Sequence, residues 1–253
     1  IGEEVERLLN LVKRVYGDFG LAYDVKLSTR PGEYMGEKAT WDHAQAELRR
    51  ALDASGVPYI VNEGDGAFYG PKIDFDITDA IGRKWQCAAI QLDYQQPENF
   101  DLKYTGADNA EHRPVVIHRA IFGSFERFIA LLIEHYAGAF PTWLAPVQAM
   151  VLPIADRHLE YARGVRDQLA TAGLRADVDE RQEKIGYKIR EAQMQKIPYM
   201  LVVGDREAAE GNVGVRHRAG GDQGGQRTAQ FIEAALEEVR SRQLAPTAAE
   251  PVR

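Results

Sequence analysis

Residues 115–127 combine a strand, a tight turn and the start of a helix, with charged side chains at the junctions. A β-branched run predicts a strand that ends at His118, and Gly123 supplies the turn. Ser124 is a suitable N-cap, which places Arg127 in the first turn of the helix that follows. A guanidinium there joins the positive end of the helix dipole in facing an anion. The stretch therefore predicts an anion-binding site; the simpler alternative is a surface arginine paired with a nearby acid.

The first part of the chain is predicted to be an α+β domain with an antiparallel sheet. Apolar residues recur there at helical spacing in some segments and alternate strictly with polar residues in others. The strands neighbour each other in sequence through short turns, which favours antiparallel pairing. The predicted elements are helices over 3–16, 41–52 and 125–137, and strands over 25–27, 72–78, 85–93 and 115–118.

After Pro146, strands and helices alternate along the sequence. This pattern predicts a smaller α/β domain with a mixed, mostly parallel sheet. We expect an α/β chain with one domain over 1–144, a second over 145–243, and an Ala/Pro-rich, disordered tail over 244–253. The predicted elements of the second domain are strands over 148–154, 174–178, 199–203 and 212–216, and helices over 156–172, 184–195 and 228–240.

Composition excludes several classes of protein. Of the 253 residues, 45% are hydrophobic and 27% are charged, which is typical of a globular protein. Cys87 is the only cysteine, which excludes an internal disulfide and fits a reducing compartment. No apolar run is long enough to span a membrane. The net charge of −7 argues against indiscriminate nucleic-acid binding, although a local basic cluster could still bind RNA.

A second group of polar residues precedes residues 115–127. A glycine-rich loop is predicted to deliver Tyr69 and Lys72 to one site. Gln91 and Asp93 share one face of the predicted strand, and two polar residues on such a face often line a cleft. Gln86 has the opposite parity unless a bulge intervenes. The alternatives are a hairpin with a buried tyrosine and hydrogen bonding to a neighbouring loop.

Three segments carry a resemblance to a known family. Residues 115–127 are similar to the third signature motif of class II aminoacyl-tRNA synthetases, in the form found in threonyl-tRNA synthetases. The segments FPTWLAPVQ at 140–148 and EKIGYKIR at 183–190 resemble the same family, and the resemblance extends from about residue 25 to residue 242. It implies that the chain is the C-terminal part of such an enzyme, with the family's first and second motifs upstream of Ile1.

The resemblance implies roles for the polar residues of the first domain. Arg127 would bind the γ-phosphate of ATP, and Gly123 would let the backbone approach the adenine ring. Lys72 would lie against the adenylate, while Tyr69 and Gln91 would contact the substrate. The expected catalytic residues are Arg127, Lys72 and Gln91, and the expected substrate-binding residues are Tyr69, Gln86, Gln91, Asp93, Gly123 and Ser124.

The resemblance also implies a metal. His118 matches the last of three zinc ligands, a cysteine and two histidines, in threonyl-tRNA synthetases. Three protein ligands leave positions open for the amino and hydroxyl groups of threonine, so that valine is rejected because it has no hydroxyl to coordinate. The other two ligands are expected upstream of Ile1, and Cys87 is not expected to replace the cysteine. Zn²⁺ and Mg²⁺, the latter with ATP, are therefore the expected cofactors of the complete enzyme.

The second domain resembles the anticodon-binding domain of threonyl-, prolyl-, histidyl- and glycyl-tRNA synthetases. This resemblance implies that Lys184, Arg190, Glu207 and Arg216 lie near the anticodon bases of tRNA(Thr). A single-stranded loop exposes base edges that arginine and glutamate can read by directional hydrogen bonds. Gln182 stands where the family often has asparagine. The alternative is a solvated charged face.

The favoured function is attachment of threonine to tRNA(Thr) through a threonyl-adenylate, in the cytoplasm, by an enzyme that is a homodimer at full length. Because two motifs and the editing domain are expected upstream, we expect this chain alone to be inactive in threonine-dependent ATP–pyrophosphate exchange. Prolyl- and glycyl-tRNA synthetases are alternatives that His118 and residues 184–186 disfavour. A non-catalytic RNA-binding or accessory protein on the same scaffold is a further alternative, which the intact polar residues of the first domain disfavour.

Overall fold

The computed structural model describes residues 1–244, so the predicted disordered tail lies outside the described residues from Ala245 onward. The chain divides into two compact units, one over Ile1–Leu131 and a second that begins at Leu132. The expected domain boundary between residues 144 and 145 stays a prediction.

The first unit is built from helices around a five-stranded sheet, as its periodicity predicts, and it also contains a separate two-stranded sheet. Its helices are α1 (Gly2–Asp18), α2 (Lys38–Ser55), the short α3 (Gln95–Asn99) and α4 (Phe125–His135), which continues into the second unit. Its strands are β1 (Tyr23–Ser28), β2 (Tyr59–Asn62), β3 (Lys72–Thr78), β4 (Lys84–Asp93), β5 (Tyr104–Thr105), β6 (Glu111–His112) and β7 (Val116–Ala120).

The sheet of the first unit has the order β2-β1-β3-β4-β7. Its pairings are antiparallel, as expected, except that β1 and β2 run parallel through the crossover helix α2. The apolar face of β3, which carries Ile73, Phe75 and Ile77, is buried. The ring of Tyr16 on α1 contacts Tyr23 on β1, so α1 packs on this apolar face. The opposite face of the same sheet is polar and carries the candidate site.

The second unit is the smaller α/β domain that the alternation predicts. Its strands are β8 (Ala149–Pro153), β9 (Ala176–Val178), β10 (Tyr199–Val203), β11 (Asn212–His217) and β12 (Gly221–Arg227), in the order β12-β11-β10-β8-β9. Its helices are a 3₁₀ turn at Asp156–His158, α5 (Leu159–Thr171), α6 (Ile185–Met194), α7 (Asp205–Glu210) and α8 (Thr228–Arg240).

The sheet of the second unit is mixed, as expected, but half of its four pairings are parallel rather than most of them. The pairs β8–β9 and β8–β10 are parallel, whereas β10–β11 and β11–β12 are antiparallel. One core packs Val151 and Leu201 against α5 and α8, and a second packs Leu152 and Met200 against α6. The two layers of helices thus cover opposite faces of one sheet. Within residues 1–244, no helix has both the length and the apolar content that crossing a bilayer requires.

Candidate functional site

A row of polar side chains crosses four strands on the polar face of the first sheet. Ser28 on β1 pairs with Lys72 on β3, Lys72 pairs with Gln91 on β4, and Gln91 pairs with His118 on β7. Directly paired residues point to the same face of a sheet, so these four side chains form one continuous row. The structure therefore brings together Lys72, Gln91 and His118, which lie far apart in sequence.

A β-bulge adds Gln86 to this face. Phe75 pairs with Ala88 and Asp76 pairs with Gln86, which leaves Cys87 as the extra residue of β4. The bulge reverses the parity on its far side, so Gln86 and Gln91 share a face. The side chain of Gln86 donates a hydrogen bond to Asp74 from Nε2 to Oδ1. The bulge is the condition under which Gln86 was expected to share the face of Gln91, and the structure contains it.

The loop before β3 delivers Tyr69 to the row. The Tyr69 hydroxyl donates a hydrogen bond to Gln91 Oε1, and the Tyr69 ring lies 5.7 Å from the imidazole of His118. Burial raises the pKa of Tyr69, so its hydroxyl remains a hydrogen-bond donor. The loop can approach this closely because of Gly70, where a Cβ atom would lie 1.7 Å from the carbonyl oxygen of Leu92.

Lys72 is held on the polar face by carboxylates. Its Nζ lies 2.7 Å from Asp74 Oδ2 and 3.5 Å from Asp65 Oδ2. Asp74 is buried and Asp65 is exposed, so the stronger and better shielded partner is Asp74. Sequence reasoning missed Asp74, although its place on the polar side of β3, two residues from Lys72, was a usable signal.

His118 is oriented by Asp93. Its Nε2 lies 2.8 Å from Asp93 Oδ2, while Asp93 Oδ1 accepts hydrogen bonds from the backbone of Gln95 and Gln96. A carboxylate behind an imidazole is the arrangement that orients histidine ligands of metals, and Nδ1 is the ring nitrogen outside this bond. His118 therefore fits a role as one metal ligand. Residues 1–244 contain no group of three side chains that could complete such a site.

Arg127 sits where helix α4 begins, beside the bulge. Ser124 Oγ accepts a hydrogen bond of 3.2 Å from the Arg127 backbone, as expected of an N-cap. The Arg127 side chain donates to the backbone carbonyl oxygen of Gln86 at 3.2 Å and lies 5.7 Å from the ring centroid of Trp85. Trp85 was missed by sequence reasoning, because only the fold places its ring beneath this guanidinium.

Gly123 permits close packing between the turn and the bulge. Its φ of +70° is a conformation that L side chains rarely adopt, and a Cβ atom there would lie 3.5 Å from Cys87. Cys87 is buried, and burial raises the pKa of its thiol. This cysteine thus fills space under the turn.

The predicted anticodon residues lie on different elements of the second unit. Lys184 is the N-cap residue of α6, and Arg190 is exposed on the same helix. Glu207 Oε2 accepts a hydrogen bond of 3.0 Å from the Gly204 backbone, which leaves Oε1 outside this cap. Arg216 on β11 pairs with Met200, so it faces the α6 side of the sheet. Among residues 1–244, no hydrogen bond or ion pair joins any two of these four side chains.

Arg216 has an unusual environment among them. Its NH1 lies 3.0 Å from Asp222 Oδ2, whereas its buried Nε has no hydrogen-bond partner among the described residues. A buried donor without a partner costs free energy and calls for an explanation, such as a ligand.

Comparison with known proteins decides the family. Residues 1–136 match the family described as tRNA synthetase class II core domain (G, H, P, S and T), and residues 148–239 match the anticodon binding domain family. The chain belongs to the class II tRNA synthetases. It is 57% identical over 233 residues to a threonine–tRNA ligase of Natranaerobius thermophilus, covering 92% of this chain and 37% of that protein. It is 57% identical over 242 residues to a threonine–tRNA ligase of Symbiobacterium thermophilum, covering 96% of this chain and 37% of that protein.

Solved structures of the same synthetase family have the same fold. The RNA binding domain of threonyl-tRNA synthetase from Cryptosporidium parvum Iowa II superposes with a TM-score of 0.89 at 40% identity, covering 94% of this chain and 60% of that one. A threonyl-tRNA synthetase from Aeropyrum pernix gives a TM-score of 0.74 at 27% identity, covering 97% of this chain and 62% of that one. The chain thus spans little more than a third of the length of the curated synthetases that it matches.

Proposed function

We propose that this chain is part of a threonine–tRNA ligase that activates threonine with ATP and transfers it to tRNA(Thr). The observation that carries the proposal is the row of Lys72, Gln91 and His118 on one face of the sheet, with Tyr69 bonded to Gln91. Arg127 lies beside Gln86, and its guanidinium donates a hydrogen bond to the backbone carbonyl oxygen of Gln86. This set combines cations for phosphates with directional donors and acceptors for a small polar substrate.

The reaction has two displacement steps. A carboxylate oxygen of threonine bonds to the α-phosphorus of ATP, and the bond from that phosphorus to pyrophosphate breaks. A hydroxyl of the terminal adenosine of the tRNA then bonds to the carbonyl carbon of the adenylate, and AMP leaves. Positioning and charge neutralisation contribute most to such transfers. We assign Arg127 to the γ-phosphate and Lys72 to the adenylate, with Mg²⁺ accompanying ATP.

Recognition of threonine is assigned to the other end of the row. We assign the polar groups of threonine to Tyr69 and Gln91, which are hydrogen-bonded to each other, and Asp93 holds the ring of His118. Zn²⁺, for which His118 fits as one ligand, would supply a Lewis acid that receives amino and hydroxyl groups. A site that pairs with a hydroxyl rejects valine, which lacks one.

The second unit is assigned to the anticodon of tRNA(Thr). The buried Nε of Arg216, which has no hydrogen-bond partner within residues 1–244, supports this assignment, because a base edge offers the acceptor that it lacks. Cytoplasmic protein synthesis is the setting that this function implies, and a homodimer is the assembly that the family resemblance implies.

The test is amino-acid-dependent ATP–pyrophosphate exchange by the full-length ligase that carries these residues. We expect exchange with threonine, and a loss of about 10²-fold or more in Arg127→Ala, because a phosphate-binding cation is removed. Arg7→Ala is the matched control, since Arg7 is an exposed arginine on α1 that pairs with Glu4. Exchange with proline or glycine in place of threonine would contradict the proposal. Binding of tRNA without exchange for any amino acid would favour a non-catalytic protein instead.

A further inference from the structure

Asp74 is a buried carboxylate at the centre of the polar face. Asp74 is only 2% exposed, and its carboxylate accepts hydrogen bonds from residues on three strands. Ser28 Oγ on β1 lies 2.7 Å from Asp74 Oδ2, and Lys72 Nζ on β3 lies 2.7 Å from the same oxygen. Gln86 Nε2 on β4 donates to Asp74 Oδ1. Two of the three donors are therefore residues already expected to contact the substrate.

These contacts restrict long side chains that are otherwise mobile. A lysine loses substantial rotamer entropy when it is held in one geometry, so a fixed ammonium needs a strong partner. The Lys72 side chain is only 12% exposed, and Asp74 is its shielded partner. Without the Asp74 charge, the remaining carboxylate for Lys72 is Asp65, which is 3.5 Å away and largely exposed. The ammonium would then turn from the centre of the face toward the loop.

Gln86 extends the influence of Asp74 to the phosphate end of the site. Its side-chain amide donates to Asp74, while its backbone carbonyl oxygen accepts the hydrogen bond from Arg127 NH1. Gln86 lies at the bulge, where the ladder of backbone hydrogen bonds is interrupted and constrains the backbone less than in a regular strand. Asp74 is therefore linked to both cations assigned to ATP. It contacts Lys72 directly and is connected to Arg127 through Gln86.

We propose that Asp74 is a positioning residue for adenylate formation, which fixes the Lys72 ammonium and the Gln86 amide in their reactive geometry. This inference rests on the proposed function. Asp74 itself does not contact the reacting atoms: it acts through Lys72 and Gln86. Preorganised charges of this kind lower the barrier because they need not be rearranged as the reaction proceeds.

Asp76 provides a matched control on the same strand. It lies on the same face of β3, is 5% exposed, and forms an ion pair with Lys26 rather than with a residue of the expected site. Asp76→Asn therefore controls for the loss of stability that follows when a similarly buried carboxylate loses its charge. The hydrogen bonds of Lys72 and Gln86 to Asp74 do not involve Asp76.

The experiment measures threonine-dependent exchange by the full-length ligase in wild type, Asp74→Asn, Asp76→Asn, Lys72→Ala and the double variant Asp74→Asn/Lys72→Ala. We expect kcat to fall about 10²-fold in Asp74→Asn, because displaced groups lose reactive alignment. Asp76→Asn should stay within about threefold of wild type. The loss in the double variant should be smaller than the product of the two single losses, because part of the effect of Asp74 passes through Lys72.

Equal kcat values for Asp74→Asn and Asp76→Asn would overturn the inference, as would independent, multiplying losses in the double variant. If Asp74→Asn fails to fold, Asp74→Glu carries the test, because it keeps the charge and moves the oxygens by one methylene. We then expect a reduced kcat in a protein that still folds, and an unchanged kcat overturns the inference. A wild-type ligase without threonine-dependent exchange would overturn the proposed function, and this inference with it. An active wild type separates the two.

Discussion

Asp93 holds the imidazole of His118 with one carboxylate oxygen and caps the following turn with the other. The Nε2–Oδ2 distance is 2.8 Å, and Oδ1 accepts from the backbone of Gln95 at 2.8 Å and of Gln96 at 3.0 Å. A carboxylate only accepts hydrogen bonds, so Nε2 carries the hydrogen, and in the neutral imidazole Nδ1 keeps its lone pair. The pair thus selects the tautomer that can bind a cation through Nδ1.

Asp93→Asn should invert this tautomer. The two backbone N–H groups require the amide oxygen, so the amide NH₂ must face Nε2 of His118, which then has to accept. Long-range ¹⁵N–¹H NMR distinguishes the two tautomers by the nitrogen that carries hydrogen. His112, which pairs with exposed Asp108, is the internal control and should not change. The same His118 tautomer in both proteins would contradict this account of the pair.

Trp85→Leu should weaken ATP binding by the full-length ligase. Trp85 Nε1 donates to Asp79 Oδ2 at 2.8 Å, which fixes the indole, and the Arg127 guanidinium lies over its ring. Loss of a cation–π contact at a partly exposed site costs about 0.5–1 kcal/mol, so the KM for ATP should rise about two- to fivefold. Trp85→Phe retains an aromatic ring, so its KM for ATP should lie between those of the wild type and Trp85→Leu. A KM that is equal in all three proteins would show that the ring does not support Arg127.

Arg216→Ala should weaken tRNA binding with little effect on folding. The variant removes a base contact and also a buried Nε that has no partner among the described residues, so binding loses more than stability. We expect the dissociation constant to rise by about ten- to a hundredfold. Arg240→Ala is the control, because Arg240 lies on α8, which covers the other face of the sheet. Filter binding measures the constants, and an unchanged value for Arg216→Ala would reject the anticodon assignment.

Periodicity predicted most elements, and the misses have physical causes. The strand Gly221–Arg227 has the sequence GDQGGQR, which carries no alternation, because its side chains are mostly exposed at a sheet edge. The helix Asp205–Glu210 is too short to show a repeating apolar stripe, and its main sequence signal is the local cap between Gly204 and Glu207. The parallel strand Tyr59–Asn62 also lacks a buried face.

The site was predicted less completely than the fold. Family resemblance supplied Tyr69, Lys72 and Gln91, and strand parity grouped Gln91 with Asp93. The bulge at Cys87 could not be predicted, because it depends on register between two strands rather than on either alone. Burial of Asp74 was missed for a similar reason, since alternation shows which face a residue occupies but not what covers that face.

His217 should make the stability of the second unit depend on pH near neutrality. Burial, aided by the neighbouring charge of Arg218, lowers the pKa of His217. Its Nδ1 also accepts hydrogen bonds from the backbone of Ala219 and Gly220, which protonation would remove. Because the pKa is lower in the folded state, the unfolded state binds more protons below its ordinary value of about 6.5. Stability should therefore be full above about pH 7 and fall as the pH drops through the folded pKa.

His217→Asn isolates this contribution, because the asparagine oxygen can accept the same backbone hydrogen bonds without titrating. Amide hydrogen exchange at Leu201 and Val215, in the core beside His217, reports the opening free energy of this unit alone. We expect that free energy to decline less between pH 7 and about pH 5 in the variant than in the wild type. His135, whose pKa burial also lowers, is present in both proteins and cancels in the difference. Parallel curves for the two proteins would mean that His217 binds protons equally in the folded and unfolded states, against the direction of its pKa shift.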